Sequence, residues 1–241
     1  MEIKIIKNGR EIINDNLWFD VAPPKDRKRQ WKNGRSAKEL ARFATDSSFK
    51  EFIKKILKDA GIKEQDFHCE PEAKTSFGKG MGKGGPRNHD LLMIGDNCVI
   101  GIEAKVSESF GNAVKKEWED YKKVKRITGL LNYFSKNYTL LDSPEKIPYQ
   151  LLTATVGTVL EAIRKGKKKA IVLVLVFTGN VEKEKDYSNN CRKNNAAFNA
   201  FEKAFFDENE KPKKIQEIEC GIYKREVCIG SNYDFKVPSN Q

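Results

Sequence analysis

The chain has 241 residues, of which 39% are hydrophobic and 33% charged, against about 25% charged in an average soluble domain. That is enough apolar material for one sizeable core and too much for a disordered chain. Lysine and arginine number 45 against 34 acidic residues, a formal charge of +11 that points to a polyanionic partner, nucleic acid first and an acidic membrane surface second.

Met1 to Asn16 holds no apolar stretch of signal-peptide length, so secretion is not expected. The longest apolar run, Ala170 to Phe177, falls short of the roughly 20 residues needed to cross a bilayer and reads as a buried strand. No membrane partner is expected. The five cysteines, Cys69, Cys98, Cys191, Cys220 and Cys228, form no C-x-x-C pair. Their odd number and spacing argue against a disulfide framework or structural zinc, and fit a reducing cytoplasm.

Residues 1–35 read as an N-terminal strand followed by an irregular basic arm, with Pro23-Pro24 feeding the charge run Lys25 to Arg29. Ser36-Ala37-Lys38-Glu39 matches a capping box. The apolar positions after it (Leu40, Ala41, Ala44, then Phe52, Ile53, Ile56, Leu57) predict a helix that Asp46-Ser47-Ser48 divides in two and Gly61 ends. Three strands follow, Phe67 to Lys74, Asp90 to Ile94 and Cys98 to Val106, the last two joined as a hairpin by Gly95-Asp96-Asn97. Phe77 to Pro86 is a loop with five glycines. Its Lys83 is followed by Gly84 rather than Ser or Thr, so it is not a P-loop.

Lys115 to Arg126 and Ile147 to Arg164 read as helices, with Pro148 in the first turn of the second and Gly166 at its end. A helix feeding the Ala170 to Phe177 strand is an α/β signature. Ala196 to Phe206 is a further helix, and Ile215 to Phe235 reads as a closing hairpin turning near Tyr223 to Arg225. The predicted organisation is one α/β domain whose mixed sheet is flanked by helices. It comprises the arm (1–35), a core (36–180) and a C-terminal helix and hairpin packed on it (181–241).

The chemistry concentrates between Asp90 and Lys105. Side chains two apart on a strand share a face, so Glu103 and Lys105 are neighbours in an otherwise apolar strand. Burying them there costs several kcal/mol unless they pair or hold a metal. Asp90 opens the preceding strand and can meet Glu103 at one end of the sheet. Two converging carboxylates make a hard-oxygen site for Mg²⁺. A lysine beside them can serve an attacking water and stabilise charge on a phosphate, as phosphodiester hydrolysis requires. An ordinary Glu–Lys pair on a half-exposed strand is the plainer alternative.

Asp90 followed by Glu103-Ala104-Lys105 resembles the PD-(D/E)XK nuclease signature, and the order α-β-β-β-α-β resembles that superfamily's restriction-endonuclease-like core. His89 stands where the motif has proline. A longer resemblance, to an uncharacterised bacterial family grouped with these nucleases, rests on three segments. They are Trp31-Lys32-Asn33-Gly34-Arg35-Ser36-Ala37, Glu103-Ala104-Lys105-Val106 with Glu108-Ser109-Phe110-Gly111, and Tyr149-Gln150-Leu151-Leu152.

The resemblance implies a Mg²⁺-dependent deoxyribonuclease, with Mn²⁺ as substitute, of restriction or defence type. Asp90 and Glu103 would hold the metal, Lys105 would be the catalytic lysine, and Gln150 would stand beside the site. A third acid is expected from Glu70 or Glu72, or from Glu39 if it is not spent on the capping box; Glu108 is a weaker candidate. Lys79, Lys83 and Arg87 in and after the glycine loop, with Lys32 and Arg35 in the arm, are the expected phosphate contacts. His89 is expected to face away from Asp90 and take no part. DNA is the expected partner. A homodimer is compatible with cutting both strands, though the sequence carries no self-association signal. The rival expectation is a nucleic-acid-binding protein of the same fold without catalysis.

Overall fold

A strand apolar on both faces needs a partner at each edge and a layer on each side, and the run around Ala170 to Phe177 has all four. In the computed structural model, which describes residues 1–78, 81, 84–134, 144–179, 187–206, 213–230 and 233–236, this run is β6 (Lys169–Gly179). It pairs in parallel with β5 (Cys98–Lys105) on one edge and β8 (Ile218–Ile229) on the other. The remaining strands extend the sheet outward: β4 (Arg87–Gly95) and β3 (Phe67–Thr75) antiparallel, then β1 (Ile3–Lys7) parallel to β3, with the short β2 (Arg10–Glu11) at the edge. On the far side β7 (Lys213–Ile215) and β9 (Tyr233–Lys236) both pair antiparallel with β8. The result is an open, mixed, nine-stranded sheet with helices on both faces, an α/β architecture. No helix among the described residues is long and apolar enough to cross a membrane.

One face carries α1 (Asp15–Val21), α3 (Ser36–Ala44) and α4 (Ser47–Asp59). Its centre is an aromatic cluster around fully buried Phe43, whose ring lies 5.3 Å from those of Phe49 and Phe52 and 5.0 Å from Tyr233. The opposite face carries α5 (Val114–Trp118), α6 (Val124–Phe134), α7 (Tyr149–Arg164) and α8 (Tyr187–Phe205). Helix α7 is buried along most of its length. Thr155 and Thr158 tolerate this because each hydroxyl donates to the carbonyl four residues back.

Several expectations are corrected. The arm folds: Asn14 caps α1 by accepting from the Leu17 amide at 2.9 Å, and a short α2 (Arg27–Gln30) follows. The capping box at Ser36 does not form: Ser36 is the first residue of the helix, the N-cap is Arg35 without a side-chain cap hydrogen bond, and Glu39 accepts from the Gly34 amide. The charged segment 115–126 is two helices, α5 and α6, because Asp120 and Lys123 close a turn between them. The helix predicted from Ala196 begins at Tyr187. Tyr223 to Arg225 is no turn but mid-strand in β8, held by β6 through Leu173 to Leu175. The hairpin closes beyond Ile229 instead.

A local inversion positions everything that follows. On β3 the odd residues Phe67 and Cys69 face α3 and α4, whereas Ala73 and Phe77 pack on the α7 side. On β4 Leu91 and Met93 face α3 and α4, whereas His89 packs against Gly157 of α7. Register is unbroken, Pro71 opposite Leu91 and Ala73 opposite His89. Both strands therefore change face at one paired position, Glu72 and Asp90, with Glu72 in the left-handed region at φ 48°.

The inversion sends His89 into the sheet–α7 interface, where Gly101 and Gly157 leave room for it. A Cβ on Gly101 would lie 2.1 Å from Thr158 Oγ1 and 3.1 Å from His89 Nδ1. Gly101→Ala is expected to destabilise the protein by roughly 1–3 kcal/mol through overpacking, and Thr158→Ala in the same chain to recover part of it. Urea denaturation midpoints of the two variants check this.

Candidate active site

The parallel β5–β6 ladder runs on to Lys105, but the β4–β5 ladder stops at Leu91 opposite Ile102. At the next position β4 offers a side chain in place of its backbone: Asp90 Oδ2 accepts the Ala104 amide at 2.7 Å. The strands part here, and Glu103 and Lys105 stand in the gap on the α7 side.

Glu103 is 1% exposed and Lys105 6%. Glu103 Oε1 accepts from Lys105 Nζ at 2.6 Å and from Gln150 Nε2 in the first turn of α7, and Oε2 accepts from Arg87 Nη2. A buried carboxylate thus has two cations and an amide around it. Burial pushes Lys105 and Arg87 below their ordinary pKa, opposed in both cases by the charge of Asp90. Glu72, opposite Asp90, is pushed up to about 7 by burial and by the Asp90 carboxylate. His89 is pushed down to about 3 by burial and by Arg87. Its Nε2 lies 3.1 Å from Thr75 Oγ1. It is a neutral spacer beneath the charged group, on the same side of the sheet as Glu103.

Glu72, Asp90, Glu103, Lys105 and Gln150 line a cavity of about 440 Å³ together with Pro24, Arg29, Trp31 and Arg35 of the arm and Trp18 of α1. Glu108 fastens the arm down. Its Oε1 accepts the Ser36 amide at 3.0 Å, its Oε2 accepts the Val106 amide at 2.8 Å, and its own carbonyl accepts from Asn194 of α8 at 2.8 Å. These amides outweigh burial and hold its carboxyl below the usual range.

The structure brings together Asp90, Glu103, Lys105 and Gln150, with Glu72 and Arg35 on the same cavity. It does not bring Glu70, which pairs with Lys7 at 2.7 Å away from the cavity, nor Lys32, which is exposed outside it. Glu39 is turned to Gly34 and Arg42. Arg87 is not presented to solvent phosphates but is 10% exposed on Glu103. Lys79 and Lys83 lie outside the described residues.

Sequence reasoning missed Arg87 as a partner of Glu103, Glu108 as the clamp, and Trp31 and Arg29 as cavity wall. It also missed Arg126, which donates to the Gly85 carbonyl at 2.7 Å and to the Tyr149 hydroxyl at 2.8 Å, fastening the end of the glycine loop beside Gln150. Trp31 and Glu108 lie in the segments that carry the family resemblance, which is the signal that could have found them.

Among the described residues no three Asp, Glu, His or Cys side chains converge as a ready-made metal set. Mg²⁺ asks for less: it keeps several waters and commonly binds through one or two carboxylates. Asp90 and Glu103 meet that requirement, with Glu72 close enough to Asp90 to feel its charge. The crowding of Asp90 and Glu72 is the kind a divalent cation relieves.

What the fold and site define is an α/β protein with a buried acid–lysine–glutamine cluster at the parted ends of two strands. A family model described as "Domain of unknown function (DUF6946)" matches residues 15–222, and the chain belongs to that family. No curated protein and no solved structure matches it.

Glu103→Ala strands two buried cations and is expected to cost roughly 3–5 kcal/mol, read from urea unfolding. Glu72 has its folded pKa raised from 4.5 to about 7. Its contribution is therefore present in full below pH 4.5 and lost as pH rises towards 7. His89, depressed from 6.5 to about 3, acts in the opposite sense, its contribution lost as pH falls from 6.5. The comparison must therefore be between variants: Glu72→Gln should gain stability relative to wild type between pH 4.5 and pH 8, measured as the difference in urea midpoint.

Proposed function

We propose that the protein is a divalent-metal-dependent nuclease acting on DNA, built on a restriction-endonuclease-like core. The observation that carries the reading is the meeting of Asp90, Glu103, Lys105 and Gln150 where β4 and β5 part, at the head of the helix that crosses to β6. With α4, α5 and α6 set aside as additions, helix α3, strands β3 to β5, helix α7 and strand β6 are compatible with the α-β-β-β-α-β order of that core. A restriction or defence role is the setting the resemblance favours.

Asp90 and Glu103, with Glu72 beside them, are the residues that would hold Mg²⁺ or Mn²⁺. Bound there, the ion would polarise the phosphate and acidify a water. Lys105 Nζ, 2.6 Å from Glu103 Oε1, would orient that water and offset charge on the phosphate. Gln150 holds Glu103 Oε1 and with it the orientation of the carboxylate. Arg87 offsets its charge from the other oxygen. Arg29 and Arg35 line the same cavity and are the candidates to contact the phosphates of a nucleic-acid strand.

One observation favours a second reading, a nucleic-acid-binding protein without catalysis. Three protein donors already occupy the Glu103 carboxylate, and a metal would have to share Oε2 with Arg87 or displace a donor.

Plasmid nicking at low salt with Mg²⁺, Mn²⁺ or EDTA distinguishes the two. Suitable variants are Asp90→Asn, which keeps an acceptor for the Ala104 amide, and Lys105→Met, which leaves Glu103 its Arg87 partner. Metal-dependent cleavage that falls at least about a hundredfold in each, assayed at a temperature where circular dichroism shows each variant folded, is the expected result. Plasmid binding without cleavage in any metal would favour the second reading.

A further inference from the structure

The part of the cavity lined by the arm bears on which form of nucleic acid can reach Lys105. We propose that the cavity takes one unpaired nucleotide with its base stacked on Trp31, so that the substrate is a single strand or a locally unpaired strand rather than continuous duplex. This rests on the nucleic-acid reading of the same site.

The first support is access. Glu103 and Lys105 are 1% and 6% exposed and line a cavity of about 440 Å³ that Pro24, Arg29, Trp31 and Arg35 of the arm also line. That volume falls within the roughly 300–1,000 Å³ range of pockets for small ligands. Continuous duplex is broad and stiff over about 150 base pairs, and it does not enter a pocket of small-ligand size. A single strand, or a nucleotide turned out of the stack, can.

The second is the chemistry of the wall. Trp31 is half-buried on the cavity, its indole 5.1 Å from the Phe19 ring behind it and tilted at 35°. A backed indole beside arginines matches the platforms on which single-stranded nucleic acids stack, where the aromatic side chain grips any base by its face.

The third is that this stretch of the arm is held in place. Gly34 donates its amide to Glu39 Oε1 at 2.7 Å and Ser36 donates to Glu108 Oε1 at 3.0 Å. The segment carrying Trp31 and Arg35 is thus tied to the body next to the site.

The test measures binding of the full chain in EDTA, where metal-dependent cleavage cannot run. The probes are a fluorescein-labelled dodecameric oligothymidylate and a duplex of the same length and mixed sequence. Single strand is expected to bind roughly tenfold or more tightly than duplex and to quench tryptophan fluorescence. Trp31→Ala should weaken single-strand binding roughly tenfold, Trp31→Phe should retain most of it, and neither should move duplex affinity. Duplex binding as tight as single-strand binding, or single-strand binding indifferent to Trp31→Ala, overturns the proposal. Retention in Trp31→Phe separates lost stacking from lost fold. Without metal the result stands apart from cleavage: a protein that grips single strand through Trp31 yet cuts nothing keeps this inference and loses the nuclease reading. Metal-dependent cutting of duplex that ignores Trp31 does the reverse.

Discussion

A carboxylate buried to 1% exposure has to be surrounded by donors, and the requirements of Glu103 organise this protein. One oxygen is shared between Lys105 and Gln150 and the other is given to Arg87. Those three partners arrive from the same strand, from the head of α7 and from the far end of β4. None can be moved without leaving charge uncompensated in a low-dielectric interior, so strand spacing, helix position and loop ends are coupled through one side chain. Such a cluster is a costly way to hold a core together, since apolar residues of similar volume commonly do as well. That is why its chemistry, rather than stability, is the better account of it.

The inversion at Glu72 and Asp90 makes the cluster possible. Had β4 kept its alternation, His89 would have packed towards α3 and α4. The two strands rotate together without losing register. Asp90 is left at the pivot, where its carboxylate can satisfy the Ala104 amide as the ladder opens. The cost of a non-glycine residue at positive φ is met at Glu72, on the cavity itself, where strain is commonly found in proteins.

Much of this was legible in the residues. Period-two patterning placed Glu103 and Lys105 on one face, the polar Gly95-Asp96-Asn97 turn joined β4 to β5, and the uninterrupted Ala170 to Phe177 run marked a strand buried on both sides. Local rules failed where distant partners decided the outcome. Ser36 and Glu39 match a capping box, but Gly34 and Glu108 claim them. Arg87 reads as a phosphate contact because its charge is visible in the sequence and its burial is not. His89 was assigned by strict alternation, which the inversion breaks. Tyr223 to Arg225 looks like a turn by polarity, yet the parallel pairing with β6 draws it through as strand. Glu70 and Glu72 are indistinguishable by spacing. Lys7, brought alongside by β1, removes the first from contention.

Glu108 also has a temporal consequence. It joins three segments that leave the ribosome far apart in time: Ser36 near the start, Val106 in the middle and, through its carbonyl, Asn194 close to the end. The arm that lines the cavity is synthesised first, yet the last of these bonds forms only once α8 has emerged. During vectorial synthesis the charged cluster around Glu103 is therefore assembled beside an arm whose final fastening is still to come.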